Sequence, residues 1–485
     1  MKKLAFLLTF VLALMAIVGL SLAEGAPEEQ ADAFYEEAFP NWNPEAPALN
    51  TLIDYVEAVT DPDSPDFIPE MDRIATFDMD GTLMGELYPT YLEYYMLAWR
   101  ILEDPTIEPD AAMLEVGRTL RDCALDNSFP EDMAMQHAIQ AARAYSGMTL
   151  REFEDFVTKI LVRECDGFEG MTYGEAYYLP MVEVVEYLQD NGFKCYVCSG
   201  SDRFICRVFI EGMLDIPYEQ IIGMDVELEA TNQGDEAGLN YVFTPADDVV
   251  RTDRLLIKNL KTNKVLQIAQ EIGRQPVLSF GNSSGDVSMH NYVIHNNAYR
   301  SAAFMLIADD DVRDYGSSEK GPALREKWEG QGFNVISMAG DWKTIYGEDV
   351  VKTGEFHWLE ELAEDRVPSD AEAEPEAEAE AGEDVQYVMY LGTNDKDTNK
   401  PVFTQAEAME RARAILLRHF GGYTIQEANG GWVDGDTEYQ EYTLVIYLSD
   451  TNEEAVHAAA DELIAEFNQS SVLIQTNPTH TEFYS

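Results

Sequence analysis

Cysteine is scarce in this chain: five in 485 residues, at Cys123, Cys165, Cys195, Cys198 and Cys206. That is too sparse for the disulfide framework of an exported protein of this size. Cys195 and Cys198 have C-x-x-C spacing, but "KCYVCSG" reads as a buried strand, where side chains three apart point to opposite faces. The spacing therefore argues for small core residues rather than a redox or zinc pair. Basic residues are scarce too, with 32 Lys and Arg against 90 Asp and Glu and a net charge of −58. Such a field argues against binding nucleic acid, or anionic lipid, through bulk electrostatics. An anionic substrate has to be drawn in by local cations or a metal, and the plainest meaning of the charge is solubility outside the cytoplasm. Long hydrophobic runs are limited to Leu4–Leu20; no later stretch is long enough to span a bilayer. With "MKK" before that run and "SLA" before Glu24, residues 1–23 read as a signal peptide, and the expected location is secreted or extracytoplasmic. No Cys follows the run, so a lipoprotein anchor is not indicated; an uncleaved membrane anchor is the alternative.

What is present is enough for real cores, 46% hydrophobic and 11% aromatic residues, over a length that suggests about two to four domains. Residues 24–70 form a Pro-, Asp- and Glu-rich lead-in with a helical pattern around "TLIDYVEAV". From 71 to about 360, short apolar runs alternate with longer amphipathic ones, which predicts α/β structure with a parallel sheet. The clearest strands are "RIATFDMD", "FKCYVCSG" and "QPVLSFGN". Residues 366–384, "RVPSDAEAEPEAEAEAGED", are an acidic low-complexity linker. After it, 385–485 read in the order βαββαβ, a ferredoxin-like α+β domain. Its second element, "TQAEAMERARAILLRHF", has Thr404 as N-cap. No catalytic constellation is visible there, and His419, His457 and His480 read as surface or helix-end residues.

The chemistry concentrates where strands end. Asp78 and Asp80 follow the apolar run "RIATF" and precede Gly81-Thr82. Two carboxylates at the end of a buried strand need a compensating cation, and open α/β sheets bind ligands at the carboxyl ends of their strands. A second strand ends in Ser199-Gly200-Ser201, where a hydroxyl and backbone N–H groups can hold a phosphate. A lysine-bearing helical stretch, "KNLKTNKVLQIAQEIG", follows. A third strand ends in "FGNSSGD", which brings Asn282 and Asp286. Mg²⁺ takes oxygen ligands and one or two protein carboxylates, which gives Asp78 and Asp286 a reason to converge.

In order, "DMDGT", "VCSG", a helical lysine and "GNSSGD" resemble the four motifs of the haloacid-dehalogenase superfamily, over about residues 71–350. "DGTLMGE" with "IGRQPVLSFGNSSGD" is similar to its exported phosphoserine and phosphorylcholine phosphatase-like branch. The resemblance implies a Rossmann-like core at 71–83 and 181–365, with a mainly helical cap inserted at 84–180 and a smaller insertion at Arg207–Asp253. It implies a Mg²⁺-dependent phosphatase that passes through an aspartyl-phosphate. Asp78 is then the nucleophile, and Asp80 the acid and base, its main-chain carbonyl reaching the metal. Ser199 and the Gly200 N–H bind the phosphoryl oxygens. Lys264 is the motif lysine, with Lys261 as rival and Lys258 behind both. Asn282 and Asp286 complete the metal set with Asp78 and Asp80. Asn282 departs from the pattern, since the usual acid there is replaced by an amide without charge.

The substrate is expected to be a small phosphomonoester. Glu86 stands where that branch often places an acid facing the substrate, and Tyr88, Tyr91, Tyr94, Tyr95 and Trp99 follow. They read either as a wall for a cationic group such as choline or as packing of the cap. Asp309, Asp310 and Asp311 read as an entrance or a solvated acidic loop. The same site would serve a phosphotransferase, or a non-catalytic phosphate-binding envelope protein if Asn282 spoils the metal. The C-terminal domain is left for an unknown partner.

Overall fold

The computed structural model describes residues 27–86, 90–234, 236–357, 362, 366, 385–420, 422–434, 437–449 and 451–478. The signal segment and, apart from Arg366, the acidic linker therefore lie outside the described residues, as do Tyr88 and His480. The chain divides into two compact units, residues 1–372 and 373–485.

The first unit is built on a seven-stranded sheet. Its strands are β1 (Ile74–Phe77), β3 (Lys194–Asp202), β4 (Ile221–Ala230), β5 (Val249–Ile257), β6 (Leu278–Gly281), β7 (Ala302–Ile307) and β8 (Asn334–Ser337), in the order β5-β4-β3-β1-β6-β7-β8. All pairings are parallel except β4–β5 at one edge. Two-residue strands β2 (Phe168–Glu169) and β9 (Val351–Lys352) form a separate ribbon. Every residue of β1 is buried, as expected for a strand covered by helices on both faces. Phe77 stacks on Phe280 at 4.5 Å and Phe280 on Phe304 at 4.9 Å, tying β1, β6 and β7 on one face. Successive connections leave β1 for β3 on one side and return to β6 on the other, so a crevice opens at the carboxyl end of β1.

After β1, the N–H groups of Thr82, Leu83 and Met84 all reach the Met79 carbonyl, closing one tight turn. The chain then pairs with the segment returning from the cap: Gly85 N–H donates to the Ala176 carbonyl and Tyr178 N–H to that of Leu83. Between these two paired segments lie four helices, Leu92–Leu102, Ala111–Asp122, Met133–Ala144 and Leu150–Leu161. The last begins with a capping box, Thr149 and Glu152 satisfying each other's backbone N–H, worth about 1 kcal/mol. The insertion before residue 253 is a hairpin of β4 and β5. It braces the cap through main-chain bonds from Gly147 to Arg251 and from Arg251 to Met148.

The lead-in proves to be part of the core. Helices Pro27–Ala38 and Pro47–Thr60 precede β1, and Phe39, Trp42, Leu49 and Val56 join the same apolar cluster as Phe77, Leu97 and Phe153. Trp42 Nε1 donates to the Pro180 carbonyl at 2.7 Å, and Tyr55 to that of Arg300 at 2.9 Å. The acidic composition of this stretch hid the apolar stripe at helical spacing that does the packing.

In the second unit, β10 (Val385–Gly392), β11 (Thr424–Asp434), β12 (Thr437–Leu448) and β13 (Leu473–Pro478) form an antiparallel sheet in the order β11-β12-β10-β13. Helices Gln405–His419 and Glu453–Phe467 complete βαββαβ, the order expected from its sequence. Met389, Leu391, Leu444 and Ile446 meet Leu416 and Leu463 in its core, and Thr404 caps the first helix. His419 sits at that helix end against Glu462, 2.9 Å away.

Candidate active site

Asp78 is the first residue beyond β1, its N–H donating to the Phe280 carbonyl at 2.9 Å. Its Oδ1 accepts a hydrogen bond from Lys264 Nζ at 2.7 Å, and the same nitrogen lies 2.6 Å from Asp286 Oδ1. Lys264 and Asp286 are fully enclosed and Asp78 nearly so. Helix Thr262–Glu271 delivers the lysine and the turn after β6 delivers the aspartate. Asp286 Oδ2 in turn accepts the N–H groups of Asn282 and Ser283 at 3.2 and 3.1 Å. Burial and the Asp286 charge raise Asp78 well above the ordinary carboxylate range, against the pull of Lys264. Burial would raise Asp286 as well, but Lys264 and the surrounding donors hold it below its ordinary value. The lysine itself is kept charged by the two carboxylates, overcoming its desolvation.

Gly81 has φ +71, and a Cβ there would lie 2.0 Å from Asn282 Nδ2 and 2.7 Å from Glu86 Oε2. Only glycine fits both the conformation and the space, so the turn that aims Asp80 depends on it. Asp80 Oδ2 accepts from Ser201 Oγ at 2.7 Å and from Ser199 Oγ at 3.4 Å. Its Oδ1 is buried with no partner among the described residues. Burial pushes this carboxyl up to about 6, aided by the Glu93 charge and opposed by the Ser201 bond.

Of the three lysines in "KNLKTNK", the structure brings only Lys264 to the aspartates. Lys261 is exposed at the helix N-cap. Lys258 is buried, but its Nζ lies 2.8 Å from Glu93 Oε1. Ser199 accepts the Ser201 N–H at 3.0 Å, while its carbonyl accepts from Asn259 Nδ2 at 2.9 Å. A Cβ at Gly200 would meet Leu260 Cδ2 at 2.5 Å, so a side chain there would displace that leucine. Asn282 lies beside the site, but its amide nitrogen donates to Glu86 Oε2 at 2.8 Å. Glu86 is half-buried and also accepts from the Tyr91 hydroxyl. Burial raises it to about 7, and those hydrogen bonds limit the rise.

The aromatic run divides. Tyr91 reaches Glu86, whereas Tyr94 packs on His137 at 4.7 Å, Tyr95 on Tyr173 at 5.0 Å and Trp99 on Phe156 at 5.9 Å. The latter three are cap packing. Asp309 and Asp310 are not a solvated loop: Asp309 accepts from Ser337 Oγ and the Ala339 N–H, and Asp310 from the N–H groups of Val312 and Arg313. The sequence showed Ser201 beside Ser199 but gave it no role of its own, although period-two alternation places the two on the same face. It also passed over Glu93 and Asn259, which no motif marks.

A family model described as haloacid dehalogenase-like hydrolase matches residues 75–290. No curated protein matches the chain. Three solved structures are similar to parts of this chain at low identity. A conserved functionally unknown protein from Anaerococcus prevotii DSM 20548 is 14% identical over 65% of this chain and 96% of its own, with a TM-score of 0.37. Cytosolic 5'-nucleotidase IIIB bound to cytidine is 11% identical over 64% and 91%, with a TM-score of 0.38. A phosphoserine phosphohydrolase-like protein from Francisella tularensis subsp. tularensis SCHU S4 is 15% identical over 54% and 94%, with a TM-score of 0.30.

Proposed function

Residues 75–290 belong to the haloacid dehalogenase-like hydrolases, and from that premise we propose an extracytoplasmic Mg²⁺-dependent phosphatase acting on small phosphomonoesters. The observation that carries this reading is the pairing of a lysine-clamped carboxylate, Asp78, with a neighbouring carboxyl, Asp80, raised to about 6 with one oxygen unpartnered among the described residues. Asp78 attacks phosphorus, and the bond from phosphorus to the leaving oxygen breaks. Asp80 gives its proton to that oxygen. It then takes one from a water, which attacks the aspartyl-phosphate and releases inorganic phosphate. Lys264 spreads positive charge over both carboxylates before and during transfer. On this reading Ser199 and the Gly200 N–H bind the phosphoryl oxygens, and Glu86, held by Tyr91, faces the leaving group.

Among the described residues no three His, Cys, Asp or Glu side chains stand together as a metal cage. The all-oxygen set of Asp78, Asp286 and the Asn282 amide, with the Asp80 carbonyl, nevertheless suits Mg²⁺, which needs only one or two carboxylates and completes its shell with water and phosphate. When bound, the ion offsets the charge of the phosphoryl oxygens. The apolar run after "MKK", read as an export signal, and the acidic composition support the location.

The test is turnover of a phosphomonoester panel by the purified chain in Mg²⁺, with and without acceptor alcohols, beside Asp78→Asn. An amide cannot attack phosphorus, so the variant should fall below about a hundredth of the wild-type rate. Retention above that removes Asp78 from the nucleophile's role. Transfer to alcohols in preference to water would recast the enzyme as a phosphotransferase.

A further inference from the structure

Behind Asp80 lies a buried charge pair whose part in the chemistry above is confined to the effect of its charges on Asp80. Glu93, in the first turn of helix Leu92–Leu102, is a cap residue; Lys258 follows β5 in the core unit. Both are more than nine-tenths buried. Lys258 Nζ donates to Glu93 Oε1 at 2.8 Å, and the Asp202 N–H at the end of β3 donates to Oε2 at 3.3 Å. His137 Nε2 lies 3.1 Å from the Glu93 carbonyl, fixing the same turn from the cap side. Two residues before Glu93, the helix N-cap Tyr91 holds Glu86 by its hydroxyl. Immediately after Lys258, Asn259 holds the Ser199 carbonyl at 2.9 Å.

We propose that the Glu93–Lys258 pair is a positioning latch that fixes the first turn of the cap helix, and through Tyr91 the Glu86 carboxylate, over the catalytic aspartates. Resting on the phosphatase reading, it assigns recognition of the leaving group to a pair that touches neither leaving group nor phosphate. A buried ion pair is a poor source of stability against an apolar replacement but a strict constraint on geometry, and a one-ångström shift of a positioning group is enough to lower catalysis markedly. The phosphate side has its own direct support, because Asn259 Nδ2 donates to the Ser199 carbonyl and the Ser201 N–H to Ser199 Oγ.

The experiment compares the full chain with Glu93→Gln, Lys258→Met and the double variant, the last removing both charges so that neither is stranded. With p-nitrophenyl phosphate and a phosphoamine as substrates, each variant should raise KM about tenfold while leaving inhibition by inorganic phosphate within about twofold. The double variant should lose no more than the worse single one, as expected for two residues acting as one unit. Hydrogen exchange at residues 90–102 should quicken in the double variant while β1 stays protected, a readout that needs no turnover. Equal weakening of substrate and phosphate, or additive single effects, would overturn the latch; so would unchanged exchange at 90–102. If the wild-type chain hydrolyses no phosphomonoester, the phosphatase reading fails by itself, and the exchange comparison still decides whether the pair fixes the cap helix.

Discussion

Removing the cation between Asp78 and Asp286 is the sharpest test of the site. Lys264→Met keeps an unbranched side chain one atom shorter and deletes its charge, leaving two enclosed carboxylates without their shared donor. Breaking a buried pair from one side costs about 3–5 kcal/mol. The sign of the pH dependence follows from the shifts. In the wild type, Asp286 is held below its unfolded value and Lys264 above its own. The first contribution is present above the unfolded carboxylate value and is lost as pH falls through the depressed one. The second is present below the unfolded lysine value and is lost only as pH rises through the raised one. Both therefore act in full from about pH 5 to 8. Without Lys264, burial dominates Asp286 as it does Asp78, and the native state keeps a proton that the unfolded chain has released. Each pH unit over which it does so costs about 1.4 kcal/mol, so the variant loses about 2.7 kcal/mol relative to wild type between pH 5 and 7. Thermal melts in EDTA at those two pH values should show a deficit that widens with pH, reaching on the order of 5–10 °C at pH 7. Turnover in Mg²⁺ should fall by about a hundred- to a thousandfold. A variant that melts within a degree of wild type at both pH values would refute the clamp. So would a deficit that is larger at pH 5.

Two further outcomes follow from neighbouring contacts. Asn282→Asp sets a second carboxylate against Glu86, which now accepts from the amide nitrogen. It should lower the melting temperature in EDTA and recover it in Mg²⁺, with metal affinity equal to or tighter than wild type in calorimetric titration; recovery without metal would exclude Asn282 from the metal set. Glu86→Gln should reduce kcat/KM for phosphocholine about ten- to a hundredfold more than for glycerol phosphate. Because Glu86 sits near 7, that difference should grow as pH rises from 6 to 8; equal loss on both substrates would make Glu86 a support for the cap rather than a reader of the ligand.

The strand-ending motifs at Asp78, Ser199 and Asp286, the helical cap, the parallel sheet and the βαββαβ unit were all legible in the sequence. Their signals are local: period two or 3.6, a capping box, turn residues at strand ends. Choosing among Lys258, Lys261 and Lys264 was not a local matter, since one helical turn separates the site from solvent and only packing of the helix against β3 and β4 decides which ammonium reaches the aspartates. The lead-in's place in the core was masked by its acidic composition, because Trp42 and Tyr55 find their partners at Pro180 and Arg300, far along the chain. The aromatic run could not be divided between pocket and packing until His137, Tyr173 and Phe156 were seen against it. Glu93 and Lys258 carry no motif at all. A buried charge is tolerable only beside its counter-charge, and what stands beside it is set by tertiary structure.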